Sequence, residues 1–200
     1  MGNSYLDELE IERALTTLKQ NQVFEIRVLK GKKVFSAYFD NPKTAISALR
    51  TLDLAGANVY FTPQKVHEGC SARLQWEKFL DTSQDKIPTT SDNDIVGYNY
   101  LLIDLDPVRP AGISSTDGEL KEAEDIKDQI LPYLEAQGFN NYVVACSGNG
   151  YHILAKIDLP ATTEARDQVK GWLNRLDEIF STDQCHVDIG NFNPGRIFKL

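Results

Sequence analysis

The sequence predicts an α+β fold, in which a small mixed unit precedes a sheet with helices on one face. Three observations carry that expectation. The apolar residues change from helical to alternating period within the first forty positions, Tyr98 to Leu105 is an apolar run with the length and flanks of a central strand, and the second half reads as strand, helix, hairpin, helix, strand. With 200 residues and 42% hydrophobic content, the chain can bury one sizeable core or two small ones sharing a cleft. No internal repeat or low-complexity segment interrupts it.

Leu6, Leu9, Ala14, Leu15 and Leu18 recur at helical spacing, so residues 1–19 read as an amphipathic helix. Val23 to Leu29 and Val34 to Phe39 are strand-like and flank Lys30-Gly31-Lys32-Lys33, which predicts a hairpin. Asn41-Pro42 supplies an N-cap and a proline suited to the first helical position, opening a helix that carries Ala45, Ile46, Leu49 and Leu52. Asn58 to Thr62 is a further strand. From Pro63 to Asp94 periodicity weakens, and Pro63, Gly69, Pro88 and the polar run Thr89 to Asp94 break any long element, so this stretch reads as a joint or mobile crossing. The division therefore falls there, with residues 1–94 forming the smaller amino-terminal mixed α/β unit and its connecting segment, and residues 95–200 the second unit.

In that second unit Thr116 and Glu119 have capping-box spacing before a helix with Leu120, Ala123, Ile126, Ile130 and Leu134 on one face, and Gly138 stops it. Asn141 to Cys146 and Tyr151 to Ile157 are strands joined by Ser147-Gly148-Asn149-Gly150. Thr162 or Thr163 caps a helix carrying Val169, Leu173, Leu176 and Phe180, with Trp172 beside that face. His186 to Ile189 and Arg196 to Leu200 are short strands. This order is that of RNA-recognition-motif-like or palm-like units.

Lys and Arg number 21 against 29 Asp and Glu, a net charge of -8, so no global basic field advertises a nucleic-acid partner. Such a partner requires a local basic groove, or metal ions that neutralise the carboxylates nearest its phosphates. Cys70, Cys146 and Cys185 are odd in number and far apart, which suits reduced thiols. His67-Glu68-Gly69-Cys70 reads as a surface loop rather than a zinc site. No secretory signal or bilayer-spanning apolar run is present, so a cytoplasmic location and no membrane partner are expected.

The chemistry concentrates in three places. Asp104-Leu105-Asp106 puts two carboxylates on one side of a strand, where they either grip divalent cations or form a solvated strand end. Ser147-Gly148-Asn149-Gly150-Tyr151-His152 is a turn whose glycines let backbone N–H groups approach a ligand while His152 emerges on the next strand. His152 is either a phosphate contact or a satisfied hairpin histidine, and Ser147 either a motif residue or a turn stabiliser. Val187-Asp188 delivers a third carboxylate, followed by Arg196 and Lys199, which either face a triphosphate or template or form a solvated basic edge. His186 shares a strand face with Asp188, as a supporting partner or a plain exposed histidine. Arg109 either reaches over the cleft or pairs with a surface acid.

In this order the motifs resemble those of the archaeo-eukaryotic primase superfamily, specifically the primase-polymerase domains of phages, plasmids and other mobile elements. Ile103-Asp104-Leu105-Asp106 is similar to the first family motif, Ser147 to His152 to the histidine-bearing second, and Val187-Asp188 to the third. The likeness covers residues 98–200, with a weaker one at Asn58 to Thr62. Where that second motif often has serine two positions before the histidine, this chain has Gly150.

The resemblance implies a metal-dependent nucleotidyltransferase that performs template-directed primer synthesis or DNA extension in replication of a mobile element. It implies Asp104, Asp106 and Asp188 as catalytic carboxylates holding two Mg²⁺ or Mn²⁺ ions. It also implies His152, Ser147 and, more loosely, Arg196 and Lys199 as nucleotide-binding residues, and the turn and the loop after Asp106 add Gly148, Gly150 and Arg109 to that set. Nucleoside triphosphates, a single-stranded DNA template and primer, and a helicase domain or partner are its implied partners, and a chain continuing past Leu200 is expected. A nucleotide cyclase and a non-catalytic RNA-recognition-type binding module are the rival readings. A Rep-type nicking enzyme is disfavoured, because its paired-histidine motif with a nearby tyrosine is not evident.

Overall fold

A computed structural model describes residues 7–19, 22–110 and 112–200. In chain order it contains α1 (Glu8–Lys19), β1 (Phe24–Lys30), β2 (Lys33–Phe39), α2 (Pro42–Leu49), β3 (Asn58–Phe61), β4 (Lys65–Val66), β5 (Leu80–Asp81) and α3 (Thr82–Asp85). There follow β6 (Ile95–Pro107), α4 (Asp117–Ala136), β7 (Tyr142–Cys146), β8 (Tyr151–Pro160), α5 (Thr163–Phe180), β9 (Cys185–Val187) and β10 (Phe198–Lys199). Short 3-10 turns occupy Glu68–Arg73, Asp92–Asp94 and Ile189–Phe192. The chain is mixed α+β and forms two compact units, residues 1–96 with 195–200, and residues 97–194. The last six residues thus return to the first unit, although the sequence division had grouped them with the second.

The first unit is an antiparallel sheet in the order β10-β3-β1-β2-β5. β1 and β2 pair from Phe24 opposite Phe39 to Lys30 opposite Lys33, and Gly31 takes the left-handed φ of 58° that a two-residue turn requires. Asn41 caps α2 by accepting from the Lys43 N–H, with Pro42 at the first helical position as expected. The helix ends at Leu49, so Leu52 lies beyond it. On α1 the buried residues are Ile11, Leu15, Leu18 and Lys19, and Leu9 is 80% exposed, so Leu9 does not belong to the packed face. Leu6 lies outside the described residues. The Lys19 ammonium donates to the carbonyls of Thr62, Pro63 and Gln64 at 2.8, 3.3 and 3.2 Å, tying the end of α1 to the β3–β4 connection.

The stretch expected to be a loose crossing is instead folded onto β2. Val66, Cys70, Leu74 and Ile95 form a small core with Tyr38. Its polar residues satisfy one another: Arg73 bonds both carboxylate oxygens of Asp94, and the N–H and hydroxyl of Ser91 each donate to Asp94 Oδ2 at 2.8 Å. The Tyr38 hydroxyl meets that of Thr90 at 3.0 Å, and the Thr90 N–H donates to buried Glu25. Such a network needs no apolar period, which is why periodicity missed it.

In the second unit β6 pairs with β8 along one edge and with β9 along the other, while β7 lies outside β8, all antiparallel. α4 opens with the expected capping box between Thr116 and Glu119. It closes with Gly138 at φ 93°, the Gly138 N–H bonded to Glu135 O and the Phe139 N–H to Leu134 O. Thr162 caps α5. Ala123, Ile126, Ile130 and Leu134 of α4 and Val169, Leu173 and Leu176 of α5 pack with Leu101, Ile103 and Leu105 of β6, so both helices share this core on one side of the strand. Among the described residues, no helix is long and apolar enough to cross a membrane.

The Arg73 hydrogen bonds hold the Asp94 carboxyl far below the ordinary aspartate range, with Ser91 reinforcing the effect against partial burial. A carboxyl depressed on folding contributes stability that is full above its unfolded value of ~3.9 and is lost as pH falls through the folded value. Asp94→Asn should therefore lower unfolding free energy by about 2 kcal/mol at pH 7, less than the ~3–5 kcal/mol of a fully buried pair. In denaturant titrations across pH, its deficit relative to the parent protein should shrink below about pH 4.

Candidate functional site

β6 sets the site. Its residues Leu101, Ile103 and Leu105 are buried in the core shared with α4 and α5, so strand alternation directs Asp104 and Asp106 to the opposite face. β8 carries His152 at the position paired with Asp104, and His152 Nε2 stands 3.2 Å from Asp104 Oδ1. Along the other edge Val187 pairs with Leu105 and His186 with Asp106. The Asp188 N–H then donates to the Asp104 carbonyl at 2.9 Å, extending that register by one step. His152, Asp104 and Asp188 thus form one row across three neighbouring chain segments, and Asp106 and His186 form the next.

Asp188 stands just past the end of β9, where the sequence had placed it within a strand. Its Oδ1 accepts from the Gly190 N–H at 2.8 Å and caps the 3-10 turn. Arg109, in the loop after β6, donates from Nη1 to Asp106 Oδ1 at 3.2 Å and to the Pro107 carbonyl at 3.1 Å, and from Nε to the Ile113 carbonyl at 3.1 Å. Its pairing with an acid is therefore a pairing with the site's own Asp106. This face grades from interior to solvent: the side chains of His152, Asp104 and Asp106 are 10%, 24% and 56% exposed.

An open cleft of about 540 Å³ runs along Asp106, Asp188 and His186, with Arg109 in its lining and exposed Val108 and Ile189 as apolar wall. His186 stood outside the predicted set, although its alternation with Asp188 was the signal for it. Burial pushes the Cys185 thiol up to about 11, and the negative charge of Asp106, Glu122 and Asp104 adds to the rise.

The donor chemistry fits hard divalent cations, because carboxylate oxygens stand at adjacent register positions, where facing Cβ atoms are about 4.5–5.5 Å apart. Asp104, Asp106 and Asp188 are the residues that could hold such ions. In their present rotamers each carboxylate turns to a separate protein partner, and among the described residues no group of three His, Cys, Asp or Glu side chains converges to ligate one. His67 accepts from the Gly69 N–H and caps the 3-10 turn that buries Cys70.

The turn before His152 is built for its own closure. The Ser147 hydroxyl donates to the Gly150 carbonyl at 3.2 Å and accepts from the Asn149 N–H at 3.3 Å, which is the turn-stabilising reading of Ser147. Gly148 takes φ 82°, and Ser115 donates from its N–H and hydroxyl to Asn149. At Gly150 a Cβ would stand 2.0 Å from the Leu105 carbonyl oxygen and 3.3 Å from Pro107 Cδ. That glycine is spent on the close approach of the turn to β6. Arg196 and Lys199 belong to the first unit, where Lys199 pairs with Tyr60 of β3.

Gly150→Ala should therefore lower the thermal unfolding midpoint and cost upward of about 2 kcal/mol, since the clash is with backbone that cannot swing aside. A variant as stable as the parent would show that the turn does not press on β6. Comparison with protein-family models, with curated proteins and with solved structures returned no match.

Proposed function

We propose that this chain is the core of a metal-dependent nucleotidyltransferase of the primase-polymerase kind, acting on nucleoside triphosphates along a single-stranded DNA template. The observation that carries the reading is the row His152, Asp104, Asp188, with Asp106 on the same face, turned away from the side on which α4 and α5 pack. The order β6-α4-β7-β8-α5-β9, with strands arranged β9-β6-β8-β7, supports an RNA-recognition-motif-like, palm-like unit whose face opposite α4 and α5 carries the chemistry.

Two bound divalent ions would supply charge neutralisation at the triphosphate and a more acidic 3′-hydroxyl. The remaining work falls to the chain. Asp104 and Asp188, side by side, provide the shared oxygen donors, and Asp106 extends the set toward the open cleft. His152, its Nε2 3.2 Å from Asp104 Oδ1 and the residue largely buried, presents its imidazole to phosphate oxygens. Arg109 is held by two carbonyls at the cleft wall, where its guanidinium offers further donors to an anionic substrate.

The rival binding-module reading needs exposed aromatic side chains on this face. The residue four positions before Asp104 is Tyr100, which is 4% exposed with Lys156 Nζ 5.2 Å from its ring, so it provides no stacking platform.

Incubation with labelled nucleotides, Mg²⁺ or Mn²⁺ and primed or unprimed single-stranded DNA tests the reading. Asp104→Asn and Asp188→Asn, the latter retaining a capping side chain, should lower incorporation at least about 100-fold without changing the circular dichroism spectrum. Undiminished synthesis by folded variants would remove the carboxylates from the mechanism, and a cyclic nucleotide product would favour the cyclase reading.

A further inference from the structure

The chain's charge is unevenly divided. Residues 1–96 and 195–200 hold 14 Lys and Arg against 13 Asp and Glu, a net of +1, whereas residues 97–194 hold 7 against 16, a net of -9. The acidity therefore belongs to the unit with the carboxylate cleft. In the first unit three lysines fall within the four-residue segment Lys30-Gly31-Lys32-Lys33 at the tip of the β1–β2 hairpin.

That tip borders a groove of about 580 Å³. Val28 is paired with Phe35, and Lys30 with Lys33, so strand alternation places all four side chains on one face of the hairpin. Val28, Phe35 and Leu52 form the apolar part of the lining, Lys30, Lys32 and Lys33 the basic part, and Asp53 is its one acid among the described residues. Phe35 remains half-buried, while Phe39, four residues along the same strand face, is fully enclosed. Lys30 is neutralised by Asp53 at 2.6 Å, and Lys33 lies a loose 4.0 Å from Asp81. Lys32 is exposed and makes no ion pair among the described residues. The Lys33 ammonium lies 6.0 Å from the Phe35 ring centroid, so cation and ring are interleaved.

We propose that this groove binds the backbone of single-stranded nucleic acid, with Lys32 and Lys33 facing phosphates and Phe35 offering its ring to a base. Lysines beside a partly exposed aromatic ring suit a flexible single strand, whose phosphates and base faces are both open. The choice of nucleic acid among polyanions rests on the nucleotidyltransferase reading. The groove itself lies in the other unit and uses none of the cleft residues.

The test is a fluorescence-anisotropy titration of the full chain against a labelled twenty-residue oligothymidylate, without nucleotide or divalent cation, at several salt concentrations. Lys32→Glu with Lys33→Glu should weaken binding at least tenfold and reduce the slope of log affinity against log salt by about 0.7 per lysine. Lys121→Glu, the same charge change on α4, should bind like the parent, and all variants should melt at the parent temperature. Unchanged affinity in the doubly reversed hairpin overturns the proposal. So does binding to anionic phospholipid vesicles or polyglutamate as tight as to the oligonucleotide, which would assign the groove to a different polyanion. Incorporation by Asp104→Asn is read separately: oligonucleotide binding lost at the hairpin but synthesis retained without Asp104 refutes the catalytic reading alone. The opposite pattern refutes the groove alone.

Discussion

The register of β6 against β8 and β9 is the constraint on which the second unit depends. A shift by one residue would exchange the faces of every β6 side chain, burying Asp104 and Asp106 in the helix-packed core and exposing Ile103 and Leu105. The cost of burying unpaired carboxylates makes that slip prohibitive. Gly150 adds a steric lock, because only a residue without Cβ lets the β7–β8 turn approach the Leu105 carbonyl. With the register fixed, His152 and Asp188 arrive beside Asp104 without any further specification.

Much of this was legible in the residues, for identifiable reasons. The helices α2, α4 and α5 announced themselves by caps, since Asn41-Pro42, Thr116 with Glu119, and Thr162 act locally and need no tertiary context. The run from Tyr98 to Leu105 read as a central strand because β6 is buried on both faces there, Leu102 as well as Leu101 and Ile103, until Asp104 begins the polar row. Leu9 misled because helical spacing does not say which face is covered. The 63–94 segment escaped because polar pairs such as Arg73–Asp94 organise it, and partners distant in sequence leave no period. The glycines around Asn149 were visible, whereas the close approach of Gly150 to the Leu105 carbonyl emerges only from the Cβ clearance.

The two units divide the electrostatic labour. Carboxylates gathered on one sheet face repel one another and favour cations, and the elevated Cys185 thiol registers that negative field together with its burial. Each carboxylate is also restrained by the protein, Asp104 by His152, Asp106 by Arg109 and Asp188 by the Gly190 N–H. Among the described residues these rotamers do not converge on one point, so cation binding would require the carboxylates to turn from their present partners. The first unit is near neutral overall and basic at its hairpin tip, so the net charge of -8 comes from the second unit and misdescribes the first.

The central claim, that Asp104, Asp106 and Asp188 together form a divalent-cation and triphosphate site, is tested most directly by anomalous diffraction from crystals grown with Mn²⁺ and a non-hydrolysable nucleoside triphosphate. Manganese peaks are expected within about 2.0–2.4 Å of carboxylate oxygens from Asp104 and Asp188, with the triphosphate extending past His152. Nucleotide bound elsewhere on the chain, or manganese absent from these carboxylates at saturating concentration, would contradict it.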